Sequence, residues 1–244
     1  MTTAAARTTT TEGSQPAHSQ AIRRRYDGLA DWYDAEMRRL PLTAAATGAL
    51  ARLLGPGHGQ CLDLACGTGI ILPDLTALGW RVTGVDVSGD QLRLARRRAA
   101  ECGASLVQAD AARLPFPDGT FDAVVSLFAH TDLDDLGRAA AEAARALRPG
   151  GRLLDVGTHP CFVQPFAERP AHGPILLHPG YRARGWHGQG PGFNAGIRPR
   201  VGANHLPLSD LVGAFLGAGL ALRRLEEPGE DDDYPFLLAL VLER

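Results

Sequence analysis

The stretch that decides the fold is residues 61–69, which read CLDLACGTG. A short apolar run carries an acid near its end and continues into a glycine-rich turn, after which apolar residues with helical potential resume. This order of strand, tight turn and helix start is typical of open α/β sheets that bind nucleotide-like ligands. Residues 82–88, VTGVDVS, read as a second strand with an acid at its carboxyl end, where a carboxylate can accept both hydroxyls of a ribose. The two stretches together predict an adenosine-containing cofactor across the first two strands.

Predicted strands and helices alternate around these stretches. The strands are expected at residues 60–64, 81–86, 105–109, 121–127 and 152–156, and the helices that follow them at 70–78, 88–101 and 132–147. Alternation of this length predicts a parallel sheet with right-handed crossovers. A later helix at 207–218 and two strands at 220–226 and 234–242 predict an antiparallel closure of the sheet. We therefore expect an α/β fold, Rossmann-like and doubly wound, with a seven-stranded, mostly parallel sheet and one antiparallel edge strand.

Two segments fall outside this alternation. Residues 1–20 are rich in Thr and Ala and are expected to form a disordered tail, so that residues 21–244 make up the folded domain. Residues 158–206 contain eight Gly, seven Pro, five His and five aromatic residues without a period. A loop this long that carries aromatics predicts a functional cover on the substrate side. Its removal is expected to abolish turnover and to leave cofactor binding largely intact.

Composition excludes several classes of function. The net charge of the 244 residues is −2, which gives no general attraction to nucleic acid or to an anionic membrane. All basic residues are Arg, which excludes a lysine Schiff base and a lysine-dependent phosphate loop. There is no apolar run long enough to span a bilayer and no secretory signal, and the four cysteines show no framework spacing. The protein is therefore expected in the cytoplasm with reduced thiols, as a monomer or a homodimer.

The spacing around the first turn narrows the choice of cofactor. Asp63, Ala65, Gly67 and Gly69 form the pattern D-x-A-x-G-x-G, whereas a nicotinamide site reads G-x-G-x-x-G. An acid before the turn would repel a pyrophosphate and suits a ligand that carries a cation. Here the sequence resembles the class I S-adenosylmethionine-dependent methyltransferases, in the subgroup that methylates small molecules. Further matching stretches are GVDVS at 84–88, QADA at 108–111, LPFPDGTFD at 114–122 and LRPGG at 147–151.

The resemblance implies a set of cofactor residues. Ala65 replaces a commoner glycine, Gly67 and Gly69 would let the backbone approach the methionine part, and Asp63 would lie near its cationic end. Asp86 would hold the ribose hydroxyls and Asp110 the adenine amino group. The remaining members of the implied cofactor site are Val87, Gln91, Ala111, Leu127 and one of the aromatics Tyr26 and Tyr33, which would fold over the methionine carboxylate. For the two tyrosines, simple helix packing is an equally good interpretation.

The predicted reaction is methyl transfer from S-adenosyl-L-methionine to an O or N atom of a small molecule, such as a secondary metabolite. Such an acceptor must lose a proton, and His is the usual base near neutral pH. His130 follows the fourth strand and His159 the fifth, so both fall at the ligand edge of the sheet, and both are candidate catalytic residues. No metal site is expected. The alternatives are a non-methylating reaction on the same fold, such as a cyclisation, and a cofactor-binding protein without activity.

Overall fold

The computed structural model describes residues 25–163, 165–170, 174–229 and 234–244, so the predicted tail at 1–20 lies outside the described residues. The strands of the main sheet are β1 (Gln60–Leu64), β2 (Arg81–Asp86), β3 (Ser105–Gln108), β4 (Phe121–Leu127), β5 (Leu147–Thr158), β10 (Ala221–Glu226) and β11 (Leu237–Glu243). The helices are α1 (Ala30–Arg39), α2 (Pro41–Leu54), α3 (Leu72–Ala77), α4 (Gly89–Cys102), α5 (Leu136–Ala146), α6 (Arg198–Val201) and α7 (Leu208–Gly217). Among the described residues, none of the helices has both the length and the apolar character needed to cross a lipid bilayer.

The predicted fold class is confirmed by the order of the strands, β10-β11-β5-β4-β1-β2-β3. Strands β1 to β5 pair in parallel, and β11 runs antiparallel to both β5 and β10. The antiparallel strand lies one position in from the edge, and β10 forms the edge itself. The sequences explain this placement, since β11 is apolar and buried along most of its length, whereas β10 carries two arginines and is largely exposed.

Capping residues mark both ends of helix α4. Helix α4 begins after Ser88, whose Oγ accepts the Gln91 N–H at 3.3 Å, and it stops at Gly103, whose φ of +77° suits a residue without a side chain. Residues 148–151, which precede the predicted fifth strand, are part of β5: the register of β5 against β4 shifts there, and the Gly150 N–H donates to the Arg244 carbonyl at 3.0 Å. Strand β5 therefore begins earlier than expected.

The predicted cover at 158–206 contains short elements that carry no sequence period. Strands β6 (Ala167–Glu168) and β7 (Leu176–Leu177) form one two-stranded sheet, and β8 (Gly185–His187) and β9 (Ala203–His205) form another. Phe166, Tyr181 and His205 pack between them, with ring centroids 4.9 to 5.8 Å apart. Elements of two to four residues are too short to show a periodic pattern, so the sequence predicted only a loop here.

Candidate functional site

A cleft lies at the carboxyl ends of β1, β2, β3 and β4, where ligands bind in open α/β sheets. It encloses about 670 Å³, including the part open to solvent. Every residue of the predicted cofactor set except Asp63 and Gly69 lines it: Tyr26, Tyr33, Ala65, Gly67, Asp86, Val87, Gln91, Asp110, Ala111 and Leu127. The lining is largely apolar, with carboxylates at separate points, and this composition suits a ligand with a flat ring and hydroxyl groups.

Asp86 is held in place by backbone donors. Its Oδ2 accepts the Gly67 N–H at 2.8 Å and its Oδ1 accepts the Ser88 N–H at 2.8 Å. Burial raises the pKa of the Asp86 carboxyl, and the backbone hydrogen bonds act against that rise. Each carboxylate oxygen has a second lone pair, so both oxygens still have the capacity to accept from a ligand hydroxyl.

The glycine-rich loop before α3 places its backbone in the left-handed region. Ala65 has a φ of +56° and Gly67 a φ of +54°, and only the second of these residues lacks a Cβ. A left-handed conformation costs an L-residue about 1–2 kcal/mol. The alanine that replaces the commoner glycine therefore stores backbone strain at the wall of the cleft.

This strain predicts that Ala65→Gly stabilises the protein. We expect a gain of about 0.5–1 kcal/mol in the free energy of unfolding, because relief of the strain exceeds the extra entropy that glycine gives the unfolded chain. Urea denaturation measures the effect. Ala141→Gly, at an exposed position of α5, is the matched control and should destabilise by about 1 kcal/mol. Equal losses in both variants would contradict the prediction.

A second pocket of about 400 Å³, including its open part, adjoins the cleft and shares Tyr33, Ala65, Gly67 and Leu127 with it. Asp63 lines this pocket, is 1% exposed, and its Oδ2 has no hydrogen-bond partner among the described residues. Burial, and to a smaller extent the charge of Asp86, raises the pKa of Asp63 to about 8. A buried carboxyl group with one oxygen unpartnered suits a ligand that brings a positive charge or a donor.

Two further polar groups in these pockets lack partners among the described residues. The side-chain amide of Gln91 lines the cleft, and the Thr43 hydroxyl, carried by α2, lines the second pocket; both residues are nearly completely buried. Buried polar groups in proteins are normally hydrogen-bonded, so these groups and Asp63 form a polar surface that a bound ligand can satisfy. The residues present therefore fit a cofactor with an amino acid part and a nucleoside part.

Gly69 lines neither pocket. A Cβ built there would lie 2.7 Å from Leu72 Cδ1 and 3.2 Å from Ala95 Cβ, and its φ is +74°. The glycine is needed for the close approach of α3 and α4 rather than for contact with the cleft. The spacing that suggested a ligand contact at Gly69 thus has a packing explanation.

Tyr26 and Tyr33 both line the cleft and pack edge to face with ring centroids 5.3 Å apart. The Tyr26 hydroxyl donates to Asp132 Oδ1 at 2.7 Å. Burial, with the Asp132 charge as the next cause, raises the pKa of both tyrosines. Both phenols are therefore neutral donors, and the hydroxyl of Tyr26 is already bound within the protein.

His130 does not line the cleft, which argues against its predicted role as a base. The ring is buried against Gly157, where a Cβ would lie 2.2 Å from His130 Cε1. Its Nδ1 lies 2.9 Å from Asp155 Oδ2 and its Nε2 3.1 Å from the Thr158 carbonyl. Burial lowers the pKa of His130, but Asp155 and Thr158 outweigh it, so the net shift is upward. Both nitrogens face acceptors, so the geometry suits an imidazolium that donates twice and has no lone pair for a substrate proton.

His159 is likewise engaged within the protein and does not line the cleft. Its Nδ1 accepts the Cys161 N–H at 3.1 Å and its Nε2 lies 2.9 Å from Glu227 Oε1. Burial lowers the pKa of His159, and Glu227 opposes the shift only in part. The imidazole is thus fitted as a neutral ring that donates to Glu227.

Sequence reasoning missed part of the cleft wall. Asp132 and Leu133 line the cleft and were not predicted, whereas Phe128, expected beside the cofactor at the end of the fourth strand, also lines it; all three follow β4. Ligands bind at the carboxyl ends of the strands in open α/β sheets, which is why His130 was a candidate. The same argument applies to Asp132 and Leu133, so they could have been predicted from their position after β4. Phe128 has a φ of +59°, which is a strained conformation for a bulky residue and is typical of functional sites.

Comparisons with known proteins agree with this geometry. Residues 62–155 match the model of a family described as a methyltransferase domain. The chain is 39% identical over 128 residues to the ubiquinone/menaquinone biosynthesis C-methyltransferase UbiE of Desulfotalea psychrophila, which covers 49% of this chain and 50% of that protein. It is 33% identical over 154 residues to the demethylmenaquinone methyltransferase of Tropheryma whipplei, covering 61% of this chain and 64% of that protein. The chain therefore spans about half to two thirds of the length of these relatives.

Solved structures share the fold over most of the chain. An S-adenosylmethionine-dependent methyltransferase from Mesorhizobium loti has a TM-score of 0.70 at 24% identity, covering 83% of this chain and all of that one. The [4+2]-cyclase SpnF has a TM-score of 0.66 at 19% identity, covering 94% of this chain and 96% of that one. At these identities the likeness concerns the fold alone. Residues 62–155 are thus similar to a methyltransferase domain, and the chain has the fold of solved class I S-adenosylmethionine-dependent methyltransferases.

Proposed function

We propose that the protein binds S-adenosyl-L-methionine in the cleft and transfers its methyl group to a small organic molecule. The observation that supports the proposal is a row of carboxyl groups at the carboxyl ends of β1, β2 and β3. Asp63 lies at the end of β1, Asp86 at the end of β2 and Asp110 just after β3. A carboxyl group with one unpartnered oxygen, a carboxylate fixed by backbone donors and an apolar floor match the ammonium, the ribose and the adenine of one extended ligand.

The chain's contribution to the reaction is orientation. S-adenosylmethionine supplies an already activated methyl group when bound, so little covalent chemistry is left to the protein. The cleft residues fix the donor, and the cover at 158–206 is proposed to place the acceptor in line with it and to exclude water. His130 and His159 have both ring nitrogens engaged, so this proposal assigns neither of them as a base.

For the acceptor atom we favour carbon over the O or N atom expected from the sequence. One of the two relatives described above is named a C-methyltransferase, and the other is named a demethylmenaquinone methyltransferase. An electron-rich ring carbon beside a hydroxyl can attack the methyl group directly: the new C–C bond would form as the S–CH3 bond breaks, and the ring C–H proton would be lost afterwards to solvent, so no imidazole is needed to remove a proton first. This agrees with the lack of a free nitrogen on His130 and His159.

The test is to incubate the protein with S-adenosylmethionine and a panel of quinols, phenols and amines. Mass spectrometry follows formation of S-adenosylhomocysteine, and NMR of the product locates the methyl group. Methylation on carbon of a quinol or phenol is the expected result. Methylation only on O or N would overturn the carbon assignment, and binding of NAD without binding of S-adenosylmethionine would overturn the whole proposal.

The cyclase alternative is separated by the same experiment. The fold is shared with the cyclase SpnF, and nothing in the cofactor cleft distinguishes transfer from a reaction in which the cofactor stays intact. Methyl transfer requires one S-adenosylhomocysteine for each product molecule. Product without S-adenosylhomocysteine would favour a cyclisation, and binding without any product would favour the non-enzyme.

The raised pKa of Asp63 predicts a pH dependence of cofactor binding. A carboxyl group with a pKa of about 8 is mainly neutral below that pH, and only its ionised form attracts the ammonium of the ligand. Affinity for S-adenosylhomocysteine should therefore rise about tenfold between about pH 6 and pH 8, measured by calorimetry. Asp63→Asn should bind with nearly constant affinity over this range. The same slope in both proteins would show that another group titrates.

A further inference from the structure

Arg198 connects the cover to the wall of the cofactor cleft. It begins α6, and its side chain is only 16% exposed. Its Nη1 donates to Asp132 Oδ1 at 3.0 Å and to the Gly202 carbonyl at 2.9 Å, and its Nη2 donates to Thr131 Oγ1 at 2.7 Å. The guanidinium thus fixes Thr131, the last residue of the short helical turn after β4, and Asp132, which follows it and lies 66 residues before Arg198 in the chain.

Asp132 is shared between the cover and the amino-terminal region. Its Oδ1 accepts the Arg198 Nη1 and also the Tyr26 hydroxyl, at 2.7 Å. Asp132 and Tyr26 line the cofactor cleft, and Tyr26 supports Tyr33 edge to face. A change in Arg198 therefore reaches two aromatic rings of the cleft through one carboxylate.

A second acid, Asp134, is also shared between the cover and the amino-terminal region. Asp134 accepts from Arg25 Nη2 and from Asn204 Nδ2, both at 2.9 Å, and the Arg25 guanidinium lies 3.5 Å from the ring centroid of Trp186. Asn204 and Trp186 belong to the cover. The cover and residues 25–33 thus both contact Asp132 and Asp134, the two acids that follow β4 next to the cleft.

We propose that Arg198 is a positioning residue for the cofactor, acting through Asp132 and Tyr26. The inference rests on the proposed cofactor site. The Asp132 carboxylate lies in a largely buried place, and its ion pair with the Arg198 guanidinium holds it in position. Without Arg198 the carboxylate loses the guanidinium that holds it and turns toward water, and Tyr26 loses its fixed acceptor. The expectation that cofactor binding is independent of residues 158–206 is therefore replaced by a direct coupling.

The experiment measures the Kd of S-adenosylhomocysteine by calorimetry for Arg198→Met and Arg198→Lys. Arg198→Met should weaken binding about tenfold, and Arg198→Lys less, since lysine retains the charge but not the fork of donors. Arg200→Met is the matched control. Arg200 lies on the same helix, and its contact is with Trp32, at 4.6 Å from the ring centroid, so this variant should bind like the wild type.

A double-mutant cycle separates positioning from loss of stability. In the Asp132→Asn background, adding Arg198→Met should change the Kd less than about twofold, because the carboxylate through which Arg198 acts is absent. Melting temperatures are recorded for each variant, and the Arg198→Lys protein carries the test if Arg198→Met does not fold. A wild-type Kd in both Arg198 variants, or equal tenfold losses in both backgrounds, would overturn the inference. A wild-type protein that binds no S-adenosylhomocysteine would instead refute the proposed function.

Discussion

Replacing Asp86 with Ala is expected to weaken S-adenosylmethionine binding by at least tenfold. The substitution removes the proposed acceptor for two ribose hydroxyls, and hydrogen bonds to a charged group contribute about 1.5–3 kcal/mol each. It also removes the partner of the Gly67 and Ser88 N–H groups, which hold the glycine-rich loop against the start of α4. Calorimetry with S-adenosylhomocysteine measures the loss, which could reach a factor of about one hundred.

The matched control for this variant is Asp118→Ala. Asp118 is an exposed carboxylate that pairs with Arg145 away from the cleft, so its removal should leave the Kd unchanged. Circular dichroism establishes that both variants are folded. Wild-type affinity in folded Asp86→Ala would mean that the nucleoside does not lie across the end of β2.

Replacing His130 with Ala is expected to destabilise the protein by about 3–5 kcal/mol, since it leaves Asp155 as a buried charge without its partner. Urea denaturation gives the change in free energy of unfolding. His178→Ala is the control, because His178 pairs with Glu168 in a largely exposed position and its loss should cost less than about 1 kcal/mol. A catalytic histidine at the surface of the cleft would instead change turnover with little effect on stability, and that outcome would contradict the structural role.

The raised pKa of His130 determines how its contribution to the stability of the fold changes with pH. A group that binds its proton more tightly in the folded state adds stability that is fully present below its ordinary pKa of about 6.5. That contribution is lost as the pH rises through the folded pKa. The difference between wild type and His130→Ala should therefore shrink from about pH 6 upward. A difference that grows with pH would show that the ring is neutral in the folded protein.

Local sequence signals accounted for the parallel half of the sheet. The predicted bounds of β1, β2 and β4 are those of the structure, and Ser88 and Gly103 mark the two ends of α4. Asp86 and Asp110 were placed at the cleft by their position after strands. These features depend on neighbours in the chain, so the sequence is enough to predict them.

Pairings between distant residues were not predictable in the same way. Whether His130 faces the cleft or Asp155 depends on the register of β4 against β5, across 25 residues. The contact of Arg198 with Asp132 depends on the path of a segment whose strands are two or three residues long. Periodicity reports which face of an element is buried, and it has no information on which partner a polar side chain finds.

The insertion of β11 between β5 and β10 sets a limit on the order of folding. Residues 237–243 pair with residues 152–158 on one side and with β10 on the other. A chain that emerges from the ribosome can assemble β1 to β5 early, yet the outer edge of β5 stays unpaired until these residues have been made. Open strand edges recruit other chains. A protein shortened before Leu237 should therefore aggregate during synthesis, even though every strand that contributes to the cofactor cleft is present.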